Sequence, residues 1–159
     1  MNDNEKSMSM SVEILLVEDN PSDVELTLHV LKKNNISNRI HVVHDGEEAL
    51  EYVFCSGRYA DRNIEDCPKV ILLDLKLPLV DGKEVLRKIR EDPRTKALSV
   101  VVLTSSKEDR DIVDSYALGV NSYIVKPVDF LQFNNAIKDI GLYWVLLNQP
   151  PLRAKILRN

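Results

Sequence analysis

The sequence predicts an α/β domain: a five-stranded parallel sheet, doubly wound, with helices on both faces. Two observations carry that expectation. Five short apolar runs, rich in Val and Ile, each end in polar or charged residues, and amphipathic segments with helical spacing separate them. Strict strand–helix alternation builds parallel sheets, because crossover helices cover both faces and bury the strands. The length agrees, since 159 residues make one domain with a sizeable core and would leave two cramped.

The first strand is "ILLVEDN" (14–20), four apolar residues that stop at Glu18 and Asp19. Residues 21–34 follow as a helix with Val24, Leu28 and Leu31 on one face, and Pro21 suits its first turn. "RIHVVHD" (39–45) is the second strand. The second helix, 46–56, rests on Ala49, Leu50 and Val53 and stops at Gly57. "SGRYADRNIEDCP" (56–68) is the one long loop. The third strand, "VILLDLKLP" (70–78), is apolar from Val70 to Leu73 and then meets Asp74. A carboxylate closing a buried run needs a partner, because an unpaired buried charge is costly. The third helix opens at Asp81, with Glu84 at capping-box spacing, and its stripe is Val85, Leu86 and Ile89. "SVVVLTSS" (99–106) is the fourth strand. "KEDRDIVDSYALG" (107–119) gives a helix with Ile112, Val113 and Tyr116 as its stripe and Gly119 as its stop. "VNSYIVKP" (120–127) is the fifth strand, and a last helix starts at Asp129, with Gln132 three residues on, and reaches about Asn148.

The domain is thus expected over 12–148, after a flexible polar arm (1–11) without the apolar segment of a signal peptide and before a short tail (149–159). No second domain is expected after residue 148. A net charge of −4 offers no basic footprint for nucleic acid or an anionic membrane, and no apolar run approaches a membrane span. Cys55 and Cys67 lack metal-ligand spacing and read as thiols in a reducing cytosol. A cytoplasmic protein is expected.

In an open α/β sheet, ligands bind at the carboxyl ends of the strands, where the strand order reverses. Under the flavodoxin-like order 2-1-3-4-5 that point lies between the strands ending in Glu18–Asp19 and in Asp74. The flanking strands end in Thr104 and Lys126. Singly, each feature has an ordinary reading: a helix cap for the acidic pair, a turn residue for Thr104, a turn for Lys126–Pro127. Together, on four of the five strand ends, they make a kit. Three carboxylates call for a hard cation, for which oxygen ligands favour magnesium. Lys126 pairs with a carboxylate or an incoming anion. Cation, ammonium and hydroxyl each meet charge on phosphoryl oxygens. Asp74, on the central strand, is then the nucleophile, giving an aspartyl phosphate.

These residues resemble the receiver domain of two-component response regulators, over about residues 12–140. The matching marks are Glu18–Asp19, Asp74 followed by Pro78 and Gly82, Thr104, and Lys126–Pro127, with Tyr123 at the aromatic switch position. The resemblance implies that Asp74 takes a phosphoryl group from a sensor histidine kinase. Asp19 and Asp74 would ligate Mg2+ through carboxylates, Lys76 through its backbone carbonyl, and Glu18 mainly through water. Thr104 and Lys126 would bind phosphoryl oxygens, Ser105 would offer its backbone N–H, and Lys76 and Ser106 would tune hydrolysis. The family usually holds the Lys126–Pro127 bond cis. The pair is Glu-Asp where Asp-Asp is commoner. "VVVLTSS", "YALGVNSYIVKP", "LYWVLLNQPP" and the 56–68 loop are similar to stand-alone receivers partnered with phytochrome-type kinases.

Two other classes fit less well. A haloacid-dehalogenase-type phosphohydrolase would carry Asp at position 76, where this chain has Lys, and its metal-binding acids come late. A flavodoxin-like electron carrier would cradle phosphate in its first loop, where "VEDNPSD" places acids. Output must leave through a surface. Phe133, Ile137, Ile140, Trp144 and Leu147 make an ordinary stripe, but Leu142, Tyr143, Val145 and Leu146 render the helix end apolar nearly all round. A surface helix needs one stripe only, so a homodimer through this helix is expected, with a partner protein, or cover by the loop or tail, as alternatives.

Overall fold

A computed structural model describes residues 12, 14–34, 36, 39–126 and 129–142. The elements run β1 (Ile14–Val17), α1 (Pro21–Lys33), β2 (Ile40–Val43), α2 (Gly46–Phe54), β3 (Val70–Leu73), α3 (Gly82–Glu91), β4 (Val100–Thr104), α4 (Asp109–Ala117), β5 (Ser122–Val125) and α5 (Phe130–Leu142). All strand pairs are parallel, and the order is β2-β1-β3-β4-β5. The sequence expectation of a flavodoxin-like sheet holds. The expected arm (1–11), the helix beyond Leu142 and the tail (149–159) lie outside the described residues.

Alternate residues of each strand feed opposite faces, as the period of two requires. Leu15, Val17, Ile71, Leu73, Val100 and Val102 pack with Ala49, Val53, Val85, Leu86 and Ile89 from α2 and α3. Ile14, Leu16, Val70, Leu72, Val101 and Leu103 pack with Val30 and Leu31 of α1 and Phe133 and Ile137 of α5. β1, β3 and β4 are buried along their whole length, whereas edge strands β2 and β5 are mostly half-buried.

The helix ends follow side-chain chemistry. Asn20 caps α1 by accepting from the N–H groups of Ser22 (2.9 Å) and Asp23 (3.1 Å), satisfying donors the helix leaves free. Asp81 accepts from the Lys83 N–H (2.9 Å), but Glu84 turns to Arg87, so only half of the expected capping box forms. Asp129 accepts from the Gln132 N–H at 3.0 Å. Gly119, with φ +74°, follows the end of α4 in the left-handed region that glycine adopts freely.

The expected inward stripe of α4 is corrected. Val113 and Tyr116 are 65% and 54% exposed, Ile112 is half-buried, and the buried residue is Ser115. Of the helix itself only Ser115 is buried, and Leu118 and Val120 beyond its end reach the core instead. The 56–68 loop is also more ordered than its composition suggests. Arg62 lies over the Tyr52 ring, 3.7 Å from its centre, and donates to the Asp66 carbonyl at 2.7 Å. His41 stacks on Tyr52, and the Tyr59 hydroxyl donates to Glu48 at 2.7 Å. Cys55 and Cys67 are free and half-buried.

Candidate functional site

Parallel pairing lines up the carboxyl ends of β1, β3 and β4, and the chain's polar residues begin there. Val17 pairs with Leu73, and the Asp74 N–H donates to the Val17 carbonyl at 3.1 Å, which sets Asp74 beside Glu18. The Lys126 N–H donates to the Thr104 carbonyl at 2.7 Å, tying the end of β5 to the end of β4. Glu18, Asp19 and Asp74 each present a carboxylate oxygen, and the three atoms lie within 4.8 Å of one another. Glu18 and Asp74 are buried, and Asp19 is exposed.

The Lys126 ammonium closes this cluster. It donates to Glu18 Oε2 at 2.6 Å, to Asp23 Oδ2 at 2.8 Å and to Asp74 Oδ2 at 3.1 Å. Asp74 thus has the partner that its burial requires; its other oxygen accepts from the Lys76 N–H at 3.2 Å. Burial pushes the Glu18 carboxyl up to about 7; the Lys126 hydrogen bond opposes the rise and the Asp74 charge adds to it. Burial alone would lower the Lys126 ammonium, but hydrogen bonds to Asp23 and Glu18, with the Asp74 charge, raise it.

Thr104 is fully buried, and its hydroxyl accepts from the Ser106 N–H at 3.4 Å. The Tyr123 hydroxyl donates to the Ser106 carbonyl at 3.0 Å. The Ser106 hydroxyl donates to Asp111 at 2.5 Å, and Asp111 pairs with Lys83 at 2.8 Å. Ser105 and the Lys76 side chain are exposed. The bond expected to be cis, Lys126–Pro127, involves a residue outside the described ones.

Sequence reasoning therefore foresaw the gathering of Glu18, Asp19, Asp74 and Lys126. It missed Asp23 as a Lys126 partner and Asp111–Lys83 as the continuation of the Ser106 link. A signal for Asp23 was available: four residues beyond Asp19 in a first helical turn, its side chain points back toward the strand end.

A doubly wound five-stranded sheet with acids, an ammonium and a hydroxyl at its carboxyl edge is the class of fold and site seen here. The family model described as the response regulator receiver domain matches residues 14–138. The chain belongs to that family. It is 37% identical over 132 residues to the response regulator Rcp1 of Synechocystis, covering 83% of this chain and 88% of Rcp1. The Mn2+-bound form of Rcp1 superposes with a TM-score of 0.81 at 36% identity, covering 88% of this chain and 99% of that one. The phosphorylated cyanobacterial phytochrome response regulator RcpA gives 0.81 at 39% identity, covering 88% and 98%. The bacteriophytochrome response regulator RtBRR gives 0.70 at 50% identity, covering 94% and 90%. The protein is a phosphoacceptor signalling domain of the two-component type, its family binds divalent metal, and no helix among the described residues is long and apolar enough to cross a membrane.

Proposed function

We propose that Asp74 is the phosphoryl acceptor and that the protein works as a cytoplasmic response regulator, fed by a sensor histidine kinase. The observation that carries this reading is the Asp74 carboxylate: buried at the centre of the sheet edge, hydrogen-bonded to Lys126, and grouped with Glu18 and Asp19. In the transfer, an Asp74 carboxylate oxygen bonds to phosphorus while the phosphorus–nitrogen bond of a phosphohistidine breaks and the imidazole leaves. Lys126 binds a phosphoryl oxygen, Thr104 donates its hydroxyl to another, and the Ser105 N–H meets a third.

The three carboxylates fit a hard divalent cation. Glu18, Asp19 and Asp74, with the Lys76 carbonyl, would hold it. We assign Mg2+, which supplies charge neutralisation among the acids and the phosphoryl oxygens. Output follows from protein contact, through a homodimer formed by the C-terminal helix of the 12–148 domain; neither nucleic acid nor membrane is a partner in this reading. Incubation with acetyl phosphate and Mg2+ should add one base-labile phosphoryl group. Asp74→Asn, or excess chelator, should abolish it with the fold intact; stable labelling of that variant contradicts the assignment.

A further inference from the structure

Three carboxylates hold Lys126, and only two of them belong to the cation cluster. Glu18 and Asp74 contact its ammonium at 2.6 and 3.1 Å, and both also offer oxygens beside Asp19. Asp23 contacts the same ammonium at 2.8 Å from outside that cluster. The side chains of Glu18, Asp74 and Lys126 are 4%, 8% and 10% exposed, whereas Asp23 is 31% exposed, so Asp23 stands at the rim. Its place is fixed by the first turn of α1, where its N–H donates to Asn20 Oδ1 at 3.1 Å.

A divalent cation among Glu18, Asp19 and Asp74 draws on two of the carboxylates that Lys126 uses, and its charge repels the ammonium. Lys126 then needs a partner that the cation does not claim. Resting on the reading of the site given above, we propose that Asp23 is a positioning residue: it holds the Lys126 ammonium at the rim while the cation is bound. Cation and ammonium then occupy the crevice together instead of competing for Glu18 and Asp74. The ordinary role for an acid in a first helical turn is to meet the helix dipole. That role would add stability but would not link Lys126 to the cation.

A double-mutant cycle separates the two. Mg2+ is titrated into the whole chain and followed by amide NMR, which also reports that each variant is folded. Asp23→Asn should weaken Mg2+ binding about fivefold in the wild-type background, but less than about twofold when Lys126 is already Met. Asp23→Glu, which keeps the charge, should recover part of the loss. Asp23→Ser gives the same comparison if the amide disturbs the turn. Equal losses in both backgrounds, or no loss at all, overturn the proposal while leaving the functional reading in place. A wild-type protein that takes up no Mg2+ overturns both.

Discussion

Glu18 is held at the mouth of β1 with its carboxyl pushed up to about 7, chiefly by burial, against the opposing Lys126 hydrogen bond. The folded chain thus binds this proton more tightly than the unfolded chain. The contribution of Glu18 to stability is fully present below the ordinary value of 4.5 and is lost as pH rises through about 7. Metal-free protein should therefore unfold at lower urea at pH about 8 than at about 5.5, and Glu18→Gln should reduce that difference. An unchanged difference in the variant would exclude Glu18 as its source. Thr104 and Tyr123 grip Ser106 from its N–H and its carbonyl. Thr104→Ala should accept a phosphoryl group yet fail to pass the signal on; a wild-type partner or oligomer response in that variant contradicts the coupling. At this scale the strand-end residues were legible, because a polar residue that ends a buried run declares itself. The Asp111–Lys83 pair was not, because it depends on how two helices are rotated about their axes. Asp23 carried a signal in its place in the first turn of α1 that the strand-end pattern alone does not reach.

At the scale of elements, the sheet was the most legible part, since β1, β3 and β4 are continuous apolar runs buried on both faces. α3 was equally clear: Val85, Leu86 and Ile89 are fully buried. α4 was not, because Ile112, Val113 and Tyr116 show helical spacing while the face that meets the protein carries Ser115. Spacing finds an apolar face but not whether the protein covers it. The loop after β3 depends on a close approach that only the structure reveals. The Pro78 carbonyl accepts from the Gly46 N–H at 3.3 Å, and a Cβ at Gly46 would lie 1.8 Å from the Val80 carbonyl oxygen. Gly46→Ala should force the α2 start and this loop apart and cost about 1–3 kcal/mol in urea unfolding. A loss within about 0.5 kcal/mol would show that the loop yields freely.

For the whole molecule, the fold gathers Asp74, the proposed acceptor, with Glu18, Asp19 and Lys126 at the carboxyl edge of the sheet. The apolar excess at Leu142, Tyr143, Val145 and Leu146 is a property of the sequence and motivates the proposed homodimer. Charged substitutions at Tyr143 and Leu146 should give a folded monomer that still takes up phosphate. A wild-type chain that stays monomeric at high concentration, with or without beryllofluoride and Mg2+, contradicts the dimer. Alternation predicts the parallel sheet with crossover helices on both faces, whereas the order 2-1-3-4-5 enters as the flavodoxin-like choice among the few arrangements such elements admit. The measurement that bears most directly on the central claim is chemical. Borohydride reduces an aspartyl phosphate to homoserine, so the phosphorylated chain, reduced and digested, should show homoserine at position 74 and unaltered acids at 18, 19 and 23. Homoserine at 19 or 23, the one-carbon-longer hydroxy amino acid (2-amino-5-hydroxypentanoic acid) at 18, or a stable phosphate on Ser105 or Ser106, would contradict the assignment of Asp74 as the acceptor.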